Sequence, residues 1–272
     1  MYNLYDSLCD SFPNLIQRKE DIGNSALGGY AIRHYTIGLT KYMLSSQADR
    51  NIQGVNDFKE SMSMQKYVIT TGVHGNERAA CYGVYLAIKE LLEKFGSEGW
   101  ANFIISNSII ELIPCSNPYG ITNNIAGNGV IDNLNRDFIT ASQPETVAMQ
   151  NFLKNTNFKV AMDFHNSGNG YDYFVTKSTY KYYELYVQIS TMYASMMYNE
   201  YKERYSNSQN NFPWYYCWNG VTSSNQFHEY VNNVLGKLGV SIETDGAQNK
   251  QTCQYTKNQL INYLQLFITL TD

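Results

Sequence analysis

The chain has 272 residues, 43% hydrophobic and 16% charged, with a formal net charge of −4. That length and apolar content suit a packed core, which excludes an intrinsically disordered chain. The charge shows no basic excess to meet a phosphate backbone, and no apolar run approaches the roughly 20 residues of a membrane helix, so neither nucleic acid nor a membrane is an expected partner.

Residues 2–12 read as a short amphipathic helix stopped by Pro13, and 30–38 (YAIRHYTIG) alternate like a strand. KYVITTGVHG at 66–75 is a strand entering a glycine-bounded turn. From Glu77 to Phe95 the apolar residues Ala80, Val84, Ile88, Leu91 and Leu92 follow helical spacing, and Gly96 and Gly99 close that helix. NFIISN and SIIELIP then read as two strands, the second stopped by Pro114. The stretch 115–144 carries Pro, Gly and Asn throughout and reads as a long loop, a feature that is usually functional inside a compact domain. A helix is expected at 145–155, a strand at 159–165 (KVAMDFH) running into the loop NSGNGYD, and a tyrosine-rich helix at 179–203. Residues 204–224 look irregular, 225–236 helical, 238–244 (LGVSIET) a strand and 251–268 a helix. Strands alternating with helices predict a single α/β domain: a mixed, largely parallel central sheet with helices on both faces. No linker, internal repeat or low-complexity tract divides it.

The five cysteines (Cys9, Cys81, Cys115, Cys217, Cys253) are scattered and odd in number, so they read as buried thiols rather than a zinc knuckle or a disulfide framework. The N-terminus has neither a basic start nor a long apolar stretch, so no signal peptide is expected. The 24 tyrosines suit a sticky interface or a peptide or carbohydrate groove.

In sheets of this kind, sites gather beyond the carboxyl ends of the strands. Three predicted strand ends carry suitable groups: His74 with Glu77, His165, and Glu243. Two imidazoles and one carboxylate form a His2Glu zinc set that leaves a fourth position for water. The turn Gly75-Asn76 lets His74 and Glu77 converge on one ion. Glu243 is the free carboxylate that could take a proton from zinc-activated water. Asp163, two residues before His165 on the same strand face, is a candidate partner for its outer nitrogen. An HxxE pair alone is a weak signal: Glu77 could equally be an acid favoured by a helix N-terminus, and His74 a core histidine. His34 and His228 read as structural or surface residues.

The long loop adds Asn117-Pro118-Tyr119-Gly120 and then Asn135-Arg136-Asp137-Phe138. With these, the chain resembles the zinc carboxypeptidases, the carboxypeptidase A-like metallopeptidases. That family carries HxxE after a strand, an NPxG turn, an NRxF segment, a later strand-end His and a Glu on a late strand, in this order. The resemblance covers nearly the whole chain, including the opening helix and hairpin. It implies that His74, Glu77 and His165 hold zinc, that Asn135 and Arg136 bind a substrate's terminal carboxylate, and that Glu243 serves as general base and then acid. It also implies a mobile tyrosine, matched by Tyr215 or Tyr216 in the stretch before Gly220. The implied substrate is a peptide, a cell-wall peptide being one variant.

In one respect the sequence departs from the family. The arginine that stabilises the oxyanion is normally found between NPxG and NRxF, whereas this chain has none before Arg136. The matching position falls at or near Asn124, whose amide can donate but brings no charge; losing one such donor can cost a factor of about 100 to 1000. Arg78 and Lys177 are the cations that could substitute. Two other readings stay open. One is an N-acyl amino acid deacylase resembling aspartoacylase and succinylglutamate desuccinylase, which share the HGNE wording and an NR segment. The other is a catalytically weak binding or structural module, part of a larger assembly. The residue at the base of the recognition pocket falls within 220–242, with Thr222 and Ser223 as candidates.

Overall fold

The structure is a computed structural model that describes residues 1–39, 64–167, 172–197, 199, 215–218, 224–245 and 248–271. Among these, eight strands form one sheet: β1 (Ile16–Arg18), β4 (Tyr35–Ile37), β5 (Gln65–Thr71), β6 (Ser108–Ile113), β7 (Val160–Ser167), β8 (Asp172–Val175), β9 (Tyr215–Trp218) and β10 (Leu238–Asp245). Their order is β1-β4-β6-β5-β7-β10-β8-β9. The four central strands, β6, β5, β7 and β10, are mutually parallel. Antiparallel pairing appears only at the flanks, between β1 and β4, β4 and β6, and β10 and β8. A separate small hairpin joins β2 (Gly23–Asn24) to β3 (Ala31–Ile32). This is the expected mixed, largely parallel α/β sheet.

The helices are α1 (Tyr2–Ser11), α2 (Arg78–Lys94), α3 (Gly99–Asn107), α4 (Pro118–Asn123), α5 (Pro144–Asn155), α6 (Tyr183–Met196), α7 (Phe227–Glu229, continued as a wide turn through Tyr230–Val234) and α8 (Lys250–Thr271). Alternation along the strands sorts the core into two layers. Tyr67 and Ile69 of β5, Met162 and Phe164 of β7, and Val240 and Ile242 of β10 pack with α2, α3, α6 and α8. Val68 of β5 and Ala161 of β7 pack with α5 and α7 through Leu153, Phe227 and Val231. No helix among the described residues is long and apolar enough to cross a membrane.

Several elements differ from the expectation. NFIISN belongs to helix α3, not to a strand: Ala101, Ile104 and Ile105 are its buried residues, the spacing of one helical face. Gly99 starts this helix rather than ending the previous one, whereas Gly96 does end α2, at φ +88°. The strand expected at 30–38 is two short ones, broken at Arg33 and His34. The long loop 115–144 contains α4, started by Asn117, whose side chain accepts from Gly120 N, and by Pro118. Part of the supposedly irregular 204–224 stretch is the edge strand β9, paired with β8. The tyrosine-rich helix is described over Tyr183–Met196 only.

Candidate metal centre

The parallel strands β5 and β7 end side by side, and the residues at and just beyond their carboxyl ends make the centre. After β5 the chain turns through Val73-His74-Gly75-Asn76 into α2, with Glu77 as the residue that precedes the helix. Gly75 is required here: a Cβ at this position would lie 1.9 Å from the carbonyl carbon of Gly120. The NPYG segment thus presses directly on the HGNE turn. Asn117 locks the two together, since its amide donates to Val73 O at 3.1 Å and to Gly127 O at 2.9 Å.

Glu77 does not cap its helix through the side chain. Its carboxylate turns instead to the two histidines. His74 Nδ1 lies 2.8 Å from Oε1, and His165 Nδ1 lies 2.9 Å from Oε2, which also accepts from Asn166 N at 3.0 Å. This removes the reading of Glu77 as a simple helix-terminal acid. One donor atom from each of His74, Glu77 and His165 can be chosen so that all lie within 4.8 Å of one another. His165 is buried, whereas His74 and Glu77 keep 16% and 17% side-chain exposure, so the centre is open on one side.

The outer nitrogens are also engaged. His165 Nε2 lies 2.7 Å from Asp163 Oδ2, and His74 Nε2 lies 3.0 Å from Asn133 Oδ1. A metal-ligating histidine usually has its second nitrogen held in this way, which fixes the ring and its tautomer. Asp163 was expected from strand parity; Asn133 was not. Only its closeness to the NR segment could have drawn attention to it.

Burial opposes charge throughout the cluster, yet Glu77 is held well below the usual carboxylate value by His165 and by hydrogen bonds from both imidazoles. Burial likewise disfavours a charged His165, but Asp163, Glu77 and Glu243 push its value well above that of a free imidazole. The carboxylates therefore demand a positive charge between them. A divalent cation bound to neutral imidazoles would meet that demand, so this donor set fits zinc.

Glu243 pairs with His165 in the parallel β7–β10 register. Burial raises its carboxyl to about 7, with Glu77 adding to the rise and His165 and His74 opposing it. A carboxyl near neutrality can both accept and return a proton.

The remaining expected residues take the following places in the fold. Asn135 is buried and its Oδ1 accepts from Phe227 N at 3.0 Å, which docks the NR segment onto α7. Arg136 is exposed beside it and donates to the Asn135 carbonyl at 2.7 Å. Asn124 is the left-handed cap of α4 (φ 57°, ψ 47°) and is exposed. Arg78 donates to Ile121 O at 2.7 Å, and Lys177 pairs with Glu229. The backbones of Tyr215 and Tyr216 lie on β9 opposite Asp172 and Tyr173; their side chains, with Thr222 and Ser223, lie outside the described residues. His228 is fully buried, with Nδ1 3.3 Å from Ser241 Oγ, and burial together with the charges of Lys177, His165 and Arg136 lowers it to about 3.

No family model matches the chain, and no curated protein sequence is similar to it. Solved structures are similar in fold. A metallo-carboxypeptidase from Burkholderia cenocepacia aligns with a TM-score of 0.72 at 14% identity, over 98% of this chain and 68% of that one. Thrombin activatable fibrinolysis inhibitor aligns with a TM-score of 0.73 at 13% identity, over 99% and 73%. Carboxypeptidase A from Helicoverpa armigera aligns with a TM-score of 0.67 at 14% identity, over 98% and 72%. The fold is that of the metallocarboxypeptidases, in agreement with the resemblance drawn from the ordered motifs.

Proposed function

We propose that the chain is a zinc-dependent carboxypeptidase that hydrolyses the C-terminal peptide bond of a peptide or peptide-like substrate. The observation that carries this reading is the convergence of His74, Glu77 and His165, with their outer nitrogens held by Asn133 and Asp163 and with Glu243 next in register. Zinc held by these three residues would supply a Lewis acid to polarise the scissile carbonyl and acidify water. Glu243 would be the carboxylate that accepts a proton from water held there and returns it to the leaving amine, since it stands beside His165 in the strand register. Arg136 offers a planar fork for the substrate's terminal carboxylate, and Asn135 fixes the segment that presents it. Tyr215 or Tyr216 would cover the bound end, and the amide of Asn124 would donate to the oxyanion in place of the missing arginine.

The test is to load the purified protein with zinc and to follow products from peptides, cell-wall peptides and N-acyl amino acids by mass spectrometry. Chelator-sensitive release of the C-terminal residue is the expected result. Release of acetate or succinate without peptide cleavage would replace this reading with the deacylase. Stoichiometric zinc with no hydrolysis of any of these would make the chain a binding module, the reading that the missing arginine favours.

A further inference from the structure

Beside the metal centre, on the α2–α8 face, lies a groove of about 970 Å³, a size typical of ligand clefts. Its origin is a helix crossing. α2 and α8 touch at Gly83, where a Cβ would lie 2.4 Å from Thr256 Cβ and 2.8 Å from Cys253 O. Towards their N-termini the two helices leave space between them, lined by Asn76, Arg78, Tyr82, Tyr85, Asn124 and Lys250 among others. Asn76 and Arg78 flank Glu77 in the chain, so the groove adjoins the turn that carries the centre. Gln248, also in its wall, binds Ala79 N at 2.7 Å and Asn166 Oδ1 at 3.3 Å, and Asn166 N donates to Glu77.

The chemistry of the lining is one-sided. Arg78 and Lys250 are exposed cations, neither paired with a carboxylate among the described residues. No described residue lining the groove is acidic, although the chain as a whole carries a net charge of −4. Neither α2 nor α8 has an acid in its first turn to offset these cations. Around them stand amides and two tyrosines, Tyr82 being 45% exposed. Such a lining hydrogen-bonds a peptide backbone and attracts anions.

Position decides which part of a substrate the groove would meet. Asn135 and Arg136 belong to the α5–α7 face, through Phe138 and Phe227. The groove belongs to the opposite, α2–α8 face, and the metal centre stands at the strand ends between the two. A chain anchored by its terminal carboxylate at Arg136 and presenting its last peptide bond to the centre therefore continues into the groove. Arg78 to Leu86 spans two helical turns, about 12 Å, room for about three extended residues.

We propose that this groove holds the residues preceding the scissile bond and that Arg78 and Lys250 select acidic groups among them; the assignment rests on the carboxypeptidase reading. The substrate class is then an acidic peptide or peptide-like chain.

The test uses N-acetylated tetrapeptides that share their last two residues and carry either Glu-Glu or Gln-Gln before them. Binding is measured by calorimetry on the zinc-loaded, full-length Glu243→Gln protein, and cleavage on the wild type. The Glu-Glu peptide is expected to bind roughly 3- to 10-fold more tightly, the span of two exposed ion pairs. The preference should fall with added salt and disappear in Lys250→Gln combined with Arg78→Gln. Equal binding of the two peptides, no binding at millimolar concentration, or a preference that survives in the double variant would overturn the assignment. If peptides are cleaved without any acid preference, the groove assignment fails and the carboxypeptidase reading stands. If acid-dependent binding is present and nothing is cleaved, the groove stands as an anionic-peptide site and the carboxypeptidase reading fails.

Discussion

Two carboxylates, Glu111 within the sheet and Glu77 just past a strand end, each meet imidazole, and they solve the charge problem differently. Glu111 on β6 accepts from Thr36 at 2.7 Å and from Lys66 at 2.6 Å, and lies 2.9 Å from His34 Nε2. Lys66 neutralises it within the protein, so this cluster is complete. Glu77 lies between His74 and His165, with Asp163 behind and Glu243 in the adjacent register. Among the described residues no lysine or arginine pairs with Glu77 or Asp163, so no such side chain neutralises that cluster. The same residue types thus make an internal ion pair in one place and a candidate ion site in the other. What separates them is the presence of a lysine and the convergence of both Nδ1 atoms on one carboxylate.

That contrast can be broken most severely at His165. His165→Ala should abolish stoichiometric zinc, whereas His34→Ala should leave it unchanged; metal analysis of the two purified variants decides, and equal zinc in both would end the ligand assignment. Next in size is the proton step. Glu243→Gln should keep zinc and lose turnover by roughly 100- to 10,000-fold, the span of a missing general base; retained turnover would remove Glu243 from that role. Smaller is the outer partner. Asp163→Asn keeps the shape near His165 Nε2 but removes the charge, and zinc affinity measured by chelator competition should fall roughly 10- to 100-fold. An unchanged affinity would reduce Asp163 to a packing residue.

The candidate site was visible in the sequence because each of its residues lies near or just past a strand end, where parity and a tight turn restrict which side chains can meet. His74, Glu77, His165, Asp163 and Glu243 all belong to this group. Asn133 and Asn166 did not stand out, because their contacts cross 59 and 89 residues of chain and no local pattern encodes them. The fold class was legible from alternation, but α3 was not: an apolar run of six residues fits a strand or one face of a helix, and only packing of Ala101, Ile104 and Ile105 decides. α4 could have been read within the supposed loop, since Asn117 followed by Pro118 is a helix start. His34 and Arg33 interrupt a strand because each leaves the alternation to meet an acid, Glu111 and Asp6 respectively.

The smallest effect on the metal centre is expected at the completed cluster, where the readout is stability. Burial pushes the Glu111 carboxyl up, but hydrogen bonds from His34, Lys66 and Thr36 outweigh it and hold the group at about 2, below its ordinary 4.5. A group depressed in the folded state stabilises the protein above its unfolded value and loses that contribution as pH falls through the folded value. The window here runs from about 4.5 down to about 2, and the contribution is on the order of 3 kcal/mol at most. Glu111→Gln should therefore lower the urea stability at pH 7 while leaving zinc content unchanged. As the pH is taken down through that window, the wild type should lose its advantage until the two proteins converge. A gap that stays constant with pH would mean that Glu111 contributes through shape and not through charge. A change in zinc content would mean that the two clusters are coupled across the sheet, and the contrast between an internally neutralised site and one that needs a cation would no longer hold.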